Sequence, residues 1–327
     1  MRAPAFWSRG KGGLLGALLS PLGMLYGCGT GARQVFVKPW QCPVPVICVG
    51  NLIAGGTGKT PVVMDLASRL LARGGRPHLV SRGYGGTEKG PLQVFADRHD
   101  ARQVGDEALL LSAIAPVWVA TNRQDACRTA TVGGATCMIF DDGFQDPSVI
   151  RDLSLVIVDG GYGFGNEHMI PAGPLREPIV KGLDRANAVI VIGEDTCGVI
   201  ERIAGRCPVL RASLKPGAEA AVLKGQPVFA FAGIGRPEKF FDTLRQAGCD
   251  VRGTRVFDDH HNFTRTELDA LKADANRDGL KLVTTAKDLI RIPQQARNGI
   301  AVLTVDLVWE DESAINALLE PVVRHGV

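Results

Sequence analysis

The hydrophobic positions change period along the chain. Short apolar runs rich in branched residues occur at 46–50, 78–82, 117–121, 137–141, 155–159 and 188–192. Runs of this length, bounded by glycine, proline or polar residues, read as buried strands. Between several of them the spacing becomes helical. Over 60–73, Val63, Leu66, Ala67, Leu70 and Leu71 share one face. Strands that alternate with helices predict an α/β fold, a mostly parallel sheet with helices on both faces. Around Lys215-Pro216-Gly217 this unit ends and a second, smaller α/β unit begins. Its expected strands lie at 228–232, 281–285 and 300–305, and a helix over 237–247 stops at Gly248. Thr264 and Glu267 form a capping-box pattern that opens a helix over 267–275. The expected division is an apolar segment over 1–35, a core over 36–215 and a smaller domain over 216–327.

The front of the chain departs from this rhythm. Arg2, Arg9 and Lys11 precede a stretch over 12–31 with no charge, carrying Leu14, Leu15, Leu18, Leu19, Leu22, Met24, Leu25 and Tyr26. A spanning helix needs about twenty strongly apolar residues. Here glycines dilute the run and Pro21 is expected to break it. The pattern favours an interfacial helix lying on a membrane, with basic residues beside it and Trp7 and Trp40 bracketing it. A true span, or a helix packed on the protein's own core, remain the alternatives. A signal peptide also fits the pattern, but the nucleotide loop described next requires cytosolic nucleotide.

The strand at 46–50 runs into Asn51-Leu-Ile-Ala-Gly55-Gly56-Thr57-Gly58-Lys59-Thr60-Pro61 and then into the helix. Strand, glycine loop and helix form the context of a P-loop. Its backbone N–H groups curl round phosphate, and the helix N-terminus adds its positive dipole end. Lys59 would reach the β- and γ-phosphates, and the Thr60 hydroxyl would hold Mg²⁺. The loop is a reshaped version of the usual pattern, because Ile53 stands where the first glycine is expected.

Ligands of parallel sheets gather at the carboxyl ends of the strands, so the residues that follow each strand carry the chemistry. Asp141 and Asp142 end a buried strand, the arrangement that reaches Mg²⁺ beside a phosphate loop. If both stay extended, their side chains point to opposite sides. Gly83-Tyr84-Gly85-Gly86 is a flexible turn suited to a sugar or phosphate. Asp106 and Glu107 open an apolar helix. Arg123 reads as an anion-binding side chain, and Arg176 as a phosphate clamp in a rigid proline-rich loop. Asp258-Asp259-His260-His261 offers a histidine oriented by a carboxylate more readily than a metal site. The net charge of +3 gives no argument for nucleic acid. Eight scattered cysteines without C-x-x-C pairing suit reduced thiols in the cytosol.

Taken in order, the phosphate loop, Gly105-Asp106-Glu107, Asp141-Asp142-Gly-Phe-Gln145, Pro-Leu-Arg176-Glu177 and Asp259-His260 resemble the tetraacyldisaccharide 4′-kinases, the lipid A 4′-kinases of Gram-negative bacteria. The resemblance runs nearly end to end. It implies two α/β domains with the active site between them, monotopic on the cytoplasmic face of the inner membrane. It also implies transfer of the ATP γ-phosphate to the 4′-hydroxyl of a tetraacylated glucosamine disaccharide 1-phosphate, with ATP and Mg²⁺ as cofactors. A monomer is the expected state, although the sequence does not give it. By position, Asn51, Gly55, Gly56, Thr57, Gly58, Lys59 and Thr60 take the nucleotide. Asp106 matches the proposed base, working with His260 rather than His261. Glu107, Asp141 and Asp142 match the acidic cluster near Mg²⁺, and Tyr84, Arg123, Arg176 and Glu177 match the saccharide and phosphate contacts. Asp146 replaces the family's usual histidine, and the Thr284-Thr-Ala-Lys287-Asp288 loop departs from the usual Thr-Glu-Lys-Asp, which puts its role in question. The rival readings are a soluble P-loop small-molecule kinase and a nucleotide-dependent switch or metal-delivery GTPase.

Overall fold

The computed structural model describes residues 4–326; Arg2, expected to lie beside the apolar helix, falls outside them. The first unit contributes β1 (Val46–Gly50), β2 (Pro77–Ser81), β3 (Leu92–Gln93), β4 (Val117–Val119), β5 (Cys137–Asp141), β6 (Leu153–Asp159), β7 (Ala188–Ile192) and β8 (Val209–Pro216). The second contributes β9 (Pro227–Ala232), β10 (Asp250–Val256), β11 (Lys281–Thr285) and β12 (Ile300–Leu303), and β13 (Val305–Trp309) follows. The large sheet runs β13-β8-β7-β6-β1-β5-β2-β4-β3 and the small one β10-β9-β11-β12. Every pairing is parallel except β13 with β8 and β3 with β4. The helices cover both faces, as the alternation in the sequence leads one to expect.

Burial follows the strand period. Ile47 and Val49 of β1 enter the core on one face with Leu66, Leu79 and Ile139. Val46 and Cys48 enter the other with Met138, Phe140 and Phe144. Parallel register sets Val49 beside Asp141 on one side, and Gly50 beside Val156 on the other. The ends of β1, β5 and β6 therefore open onto one edge, where the polar residues after each strand meet.

Residues 216–327 do not form one unit. The apolar run expected as a single strand over 300–305 divides at Thr304: β12 ends in the small sheet, and β13 pairs antiparallel with β8 in the large one. The final helix, Glu312–Gly326, returns with it and buries Ile315, Leu319 and Val322 in the first core. Trp309 Nε1 donates to Asp65 at 2.9 Å and fastens this return to the helix Lys59–Ala72. The smaller sheet is thus an insertion between β8 and β13.

The apolar N-terminal stretch is one helix, Gly13–Phe36, running through Pro21 instead of breaking there. Its buried positions are Gly16 and Gly23. A Cβ on Gly23 would come within 3.0 Å of the Met169 carbonyl, so the missing side chain lets this helix lie against the 166–172 segment. Leu14, Leu15, Leu18, Leu22 and Leu25 point away from the protein; Leu14 is 79 % exposed and Leu25 69 %. The helix therefore does not bury its apolar side chains in the core, which removes that alternative. It is long and apolar enough to cross a membrane.

Candidate active site

The loop after β1 is shaped by short-range contacts. Gly58 adopts φ +88° immediately before the helix Lys59–Ala72, a left-handed conformation costly for residues with a Cβ. Asn51 is buried, and its Nδ2 donates to the Gly55 carbonyl and the Thr57 hydroxyl, each at 3.2 Å. A second segment walls the loop: Ala54 N donates to the Pro174 carbonyl and Arg176 N to the Leu52 carbonyl, both at 2.8 Å. Lys59 and Thr60 occupy the first turn, where backbone N–H groups lack helical partners.

Asp141 and Asp142 separate by backbone conformation. Asp142 takes φ +53° and leaves the extended path assumed from the sequence. Its carboxylate accepts from Arg176 Nη1 at 2.8 and 2.9 Å and lies 3.6 Å from Lys59 Nζ. Burial would raise its pKa, but Lys59 and Arg176 hold it below the usual carboxylate range. Asp141 is buried, and its Oδ1 has no hydrogen-bond partner. Burial, then the Glu107 charge, raise its carboxyl to about 7. A buried carboxylate without a partner carries a desolvation cost that a cation would relieve.

The small sheet supplies the other wall. Asp106, buried at the start of the helix Asp106–Leu111, accepts from His260 Nδ1 at 3.1 Å and from Arg291 Nε at 2.9 Å. Arg291 Nη2 also donates to the same oxygen, Oδ2. Burial opposes the Asp106 charge, yet His260 and Arg291 hold its carboxyl well below the ordinary range. The hydrogen bond with Asp106 raises His260, partly offset by burial. Arg291 Nη1 further donates to the Gly233 carbonyl at 2.8 Å and to Asp288 at 3.0 Å. Lys287 Nζ lies 2.7 Å from Glu107 Oε1. Farther along the same edge, Asp159 at the end of β6 pairs with Arg236 at 2.9 Å and Lys239 at 2.5 Å.

These contacts change several assignments. The 284–288 loop, doubted for its altered sequence, is where the second unit docks on Glu107 through Lys287, while its Asp288 braces Arg291 within the same unit. His260 faces Asp106, whereas His261 Nε2 faces Glu267 at 3.1 Å. Tyr84 is exposed, with its ring 5.8 Å from that of His260. Its turn touches backbone directly: a Cβ on Gly86 would meet the Gln103 carbonyl at 2.5 Å, and one on Gly105 the Tyr84 carbonyl at 2.6 Å.

Arg123 and Glu177 do not stand free for a substrate. Arg123 is buried, with Nη1 2.5 Å from Asp146 and Nη2 donating to the Asp142 carbonyl at 2.9 Å. It braces the turn that carries Asp142. Glu177 is buried against Arg185 and accepts from Gln145 at 3.0 Å. Arg291 has no role in the sequence reading, and Lys287 enters it only within a loop whose role was in question. Their only local signal is a cluster of charge, Lys287-Asp288 and Arg291, inside a short segment between apolar strands. Among the described residues no group of three His, Cys, Asp or Glu side chains gathers to hold a metal ion by itself.

The model of the family described as tetraacyldisaccharide-1-P 4′-kinase matches residues 15–324. The chain belongs to this family. A tetraacyldisaccharide 4′-kinase of Rhodospirillum centenum is 50 % identical, covering 100 % of this chain and 99 % of that protein. One of Paramagnetospirillum magneticum is 51 % identical over the same shares. The crystal structure of LpxK from Aquifex aeolicus in complex with ATP superposes with a TM-score of 0.77 at 28 % identity, covering 95 % of this chain and 100 % of that one. Membership in the tetraacyldisaccharide-1-P 4′-kinase family sets aside the soluble small-molecule kinase and the switch GTPase.

Proposed function

We propose that this protein transfers the γ-phosphate of ATP to the 4′-hydroxyl of a tetraacylated glucosamine disaccharide 1-phosphate, a step of lipid A assembly. The observation that carries the reading is the gathering of Lys59, Asp141, Glu107 and Asp106–His260 at one edge of the sheet, where Lys59 and Glu107 both act on the Asp141 charge. Phosphoryl transfer depends on positioning and charge neutralisation. The loop N–H groups and Lys59 would bind the nucleotide phosphates. Arg176, partly accessible beside Asp142, and exposed Tyr84 would meet the sugar. The Asp106–His260 pair would orient the hydroxyl and receive its proton. The small sheet, docked through Lys287 and Arg291, would keep out water that competes for ATP.

Mg²⁺ fits Thr60 and the unpartnered Asp141 Oδ1. Asp142 and Glu107 are already paired with Lys59, Arg176 and Lys287. When bound, the ion would neutralise charge on the transferring phosphates. The exposed leucines of the helix Gly13–Phe36, with Arg9 and Lys11 before it, suit insertion into the cytoplasmic face of the inner membrane. That surface is where a four-chain lipid substrate resides.

The test incubates purified protein in mixed micelles with γ-labelled ATP or GTP, with and without the lipid disaccharide. Label on lipid only with ATP is the expected result. Preference for GTP, or equal nucleotide hydrolysis without lipid, overturns the proposal.

A further inference from the structure

The last turn of the helix Gly13–Phe36 is fastened to the site by polar contacts. Gln34 Nε2 donates to the Gln145 carbonyl at 3.2 Å, and Arg33 Nη2 lies 3.7 Å from Asp146 Oδ1. Each of these two partners leads to a different part of the site. Gln145 Nε2 donates at 2.8 Å to the carbonyl of Asn51, where the phosphate loop begins. Asp146 holds Arg123 with its other oxygen, and Arg123 donates to the Asp142 carbonyl. The Asp142 carboxylate in turn stands beside Lys59 and Arg176. Two runs of contacts therefore lead from one helix end, one to the loop and one to the acid turn.

Lipid changes the strength of this attachment. Farther back, the helix rests on the 166–172 segment through Gly16, Gly23 and Gly27. Those contacts set how closely it lies, and the directional bonds at its end set its register against residues 145 and 146. The Arg33 side chain is 51 % exposed and that of Asp146 6 %. An ion pair open to water on one side is weakened by the solvent. Val35 and Phe36, which adjoin the pair, are exposed, so the apolar surface of the helix continues to this end. When that surface enters lipid, less water reaches Arg33, and the same pair interacts through a lower dielectric. The helix in water and the helix in lipid thus differ in their hold on residues 145 and 146, the difference that any coupling requires.

We propose that Arg33 and Gln34 are positioning residues: through Asp146 and Gln145 they brace the Asp142 turn and the phosphate loop, and seating of the helix in lipid tightens that brace and, with it, the binding of ATP. This rests on the kinase reading above for its nucleotide. The enzyme would then grip ATP best where its lipid acceptor resides. Coupling between two ligands is reciprocal, so ATP strengthens membrane binding by the same factor by which the membrane strengthens ATP binding.

The test measures ATP affinity of the full-length protein by calorimetry, with and without phosphatidylcholine vesicles, and vesicle partition with and without ATP. Lipid of no net charge is used so that removing a cation at position 33 does not itself weaken partition. Vesicles should tighten ATP about fivefold or more, and ATP should raise partition by the same factor. Arg33→Met should partition like wild type when ATP is absent, yet lose most of the factor in both directions. Arg33→Lys should keep part of it. Gln34→Met removes the second contact independently and should also lower the factor. A helix end that only packs would change the melting temperature and leave both factors alone. Equal ATP affinity of wild type with and without vesicles, or the full factor in both Arg33→Met and Gln34→Met, overturns the proposal. Wild-type protein that binds no ATP in either setting overturns instead the activity on which it rests.

Discussion

Lys287 Nζ and Glu107 Oε1 stand 2.7 Å apart although 180 residues separate them in the chain. The pair joins the inserted small sheet to the helix that carries Asp106. Burial opposes both charges. Lys287 nevertheless holds Glu107 below its usual range, and Glu107 holds Lys287 above its own. Lys287→Met should lower kcat about tenfold or more, with little change in ATP affinity by calorimetry, because the loss falls on docking of the second unit. A double-mutant cycle on kcat with Glu107→Gln should give a coupling of ~1 kcal/mol or more. Additive effects would mean that the contact does not serve turnover.

Lys59 lies 3.6 Å from Asp142 at the foot of the glycine loop. Lys59→Ala should reduce kcat/KM for ATP by about 10²–10³, the range for removing one preorganised charge partner. Retention of near-normal ATP-dependent transfer would take the loop out of the reaction.

Asp141 should trade stability for function. Its carboxyl is raised from 3.8 to about 7, so between these values the folded protein binds more protons than the unfolded chain. This group therefore favours folding at low pH, and its contribution is lost as pH rises through about 7. Asp141→Asn should raise the melting temperature at pH 8, by a free energy of ~1–3 kcal/mol, with a smaller gain at pH 5. The same variant should lose most activity. Calorimetry at the two pH values checks the sign.

Leu18 and Leu25 sit on one exposed face, two turns apart, at 66 % and 69 % exposure. Leu18→Asp with Leu25→Asp should weaken flotation with anionic vesicles by about 100-fold or more, since each leucine buried in lipid contributes ~1.5–3 kcal/mol. The melting temperature should not move, because neither side chain packs on the protein. Undiminished flotation would place the membrane contact elsewhere.

Local pattern carried the strand-loop-helix at 46–72, since Gly55, Gly58, Lys59 and Thr60 act through the backbone within one turn. The acidic end of β5 and the capping box at Thr264 were legible for the same reason. Strand β8, one in from the edge of the large sheet, and the edge strand β10 of the small one were not read. They are only partly buried, and Arg211 or Arg255 interrupts the apolar signal. The break at Thr304 was also hidden, because one apolar run serves two sheets and nothing local says which edge will receive it.

From its order of residues alone, the chain determined a phosphate loop, the acids that follow the strands, a leucine-rich front and its family. Each depends on neighbours a few residues apart. Which charges meet was decided only by the folded molecule. Arg123 turned inward to Asp146, Arg291 reached Asp106 and Lys287 reached Glu107. Such pairs form between side chains that packing brings together, and an ion pair leaves no periodic trace along the chain that forms it.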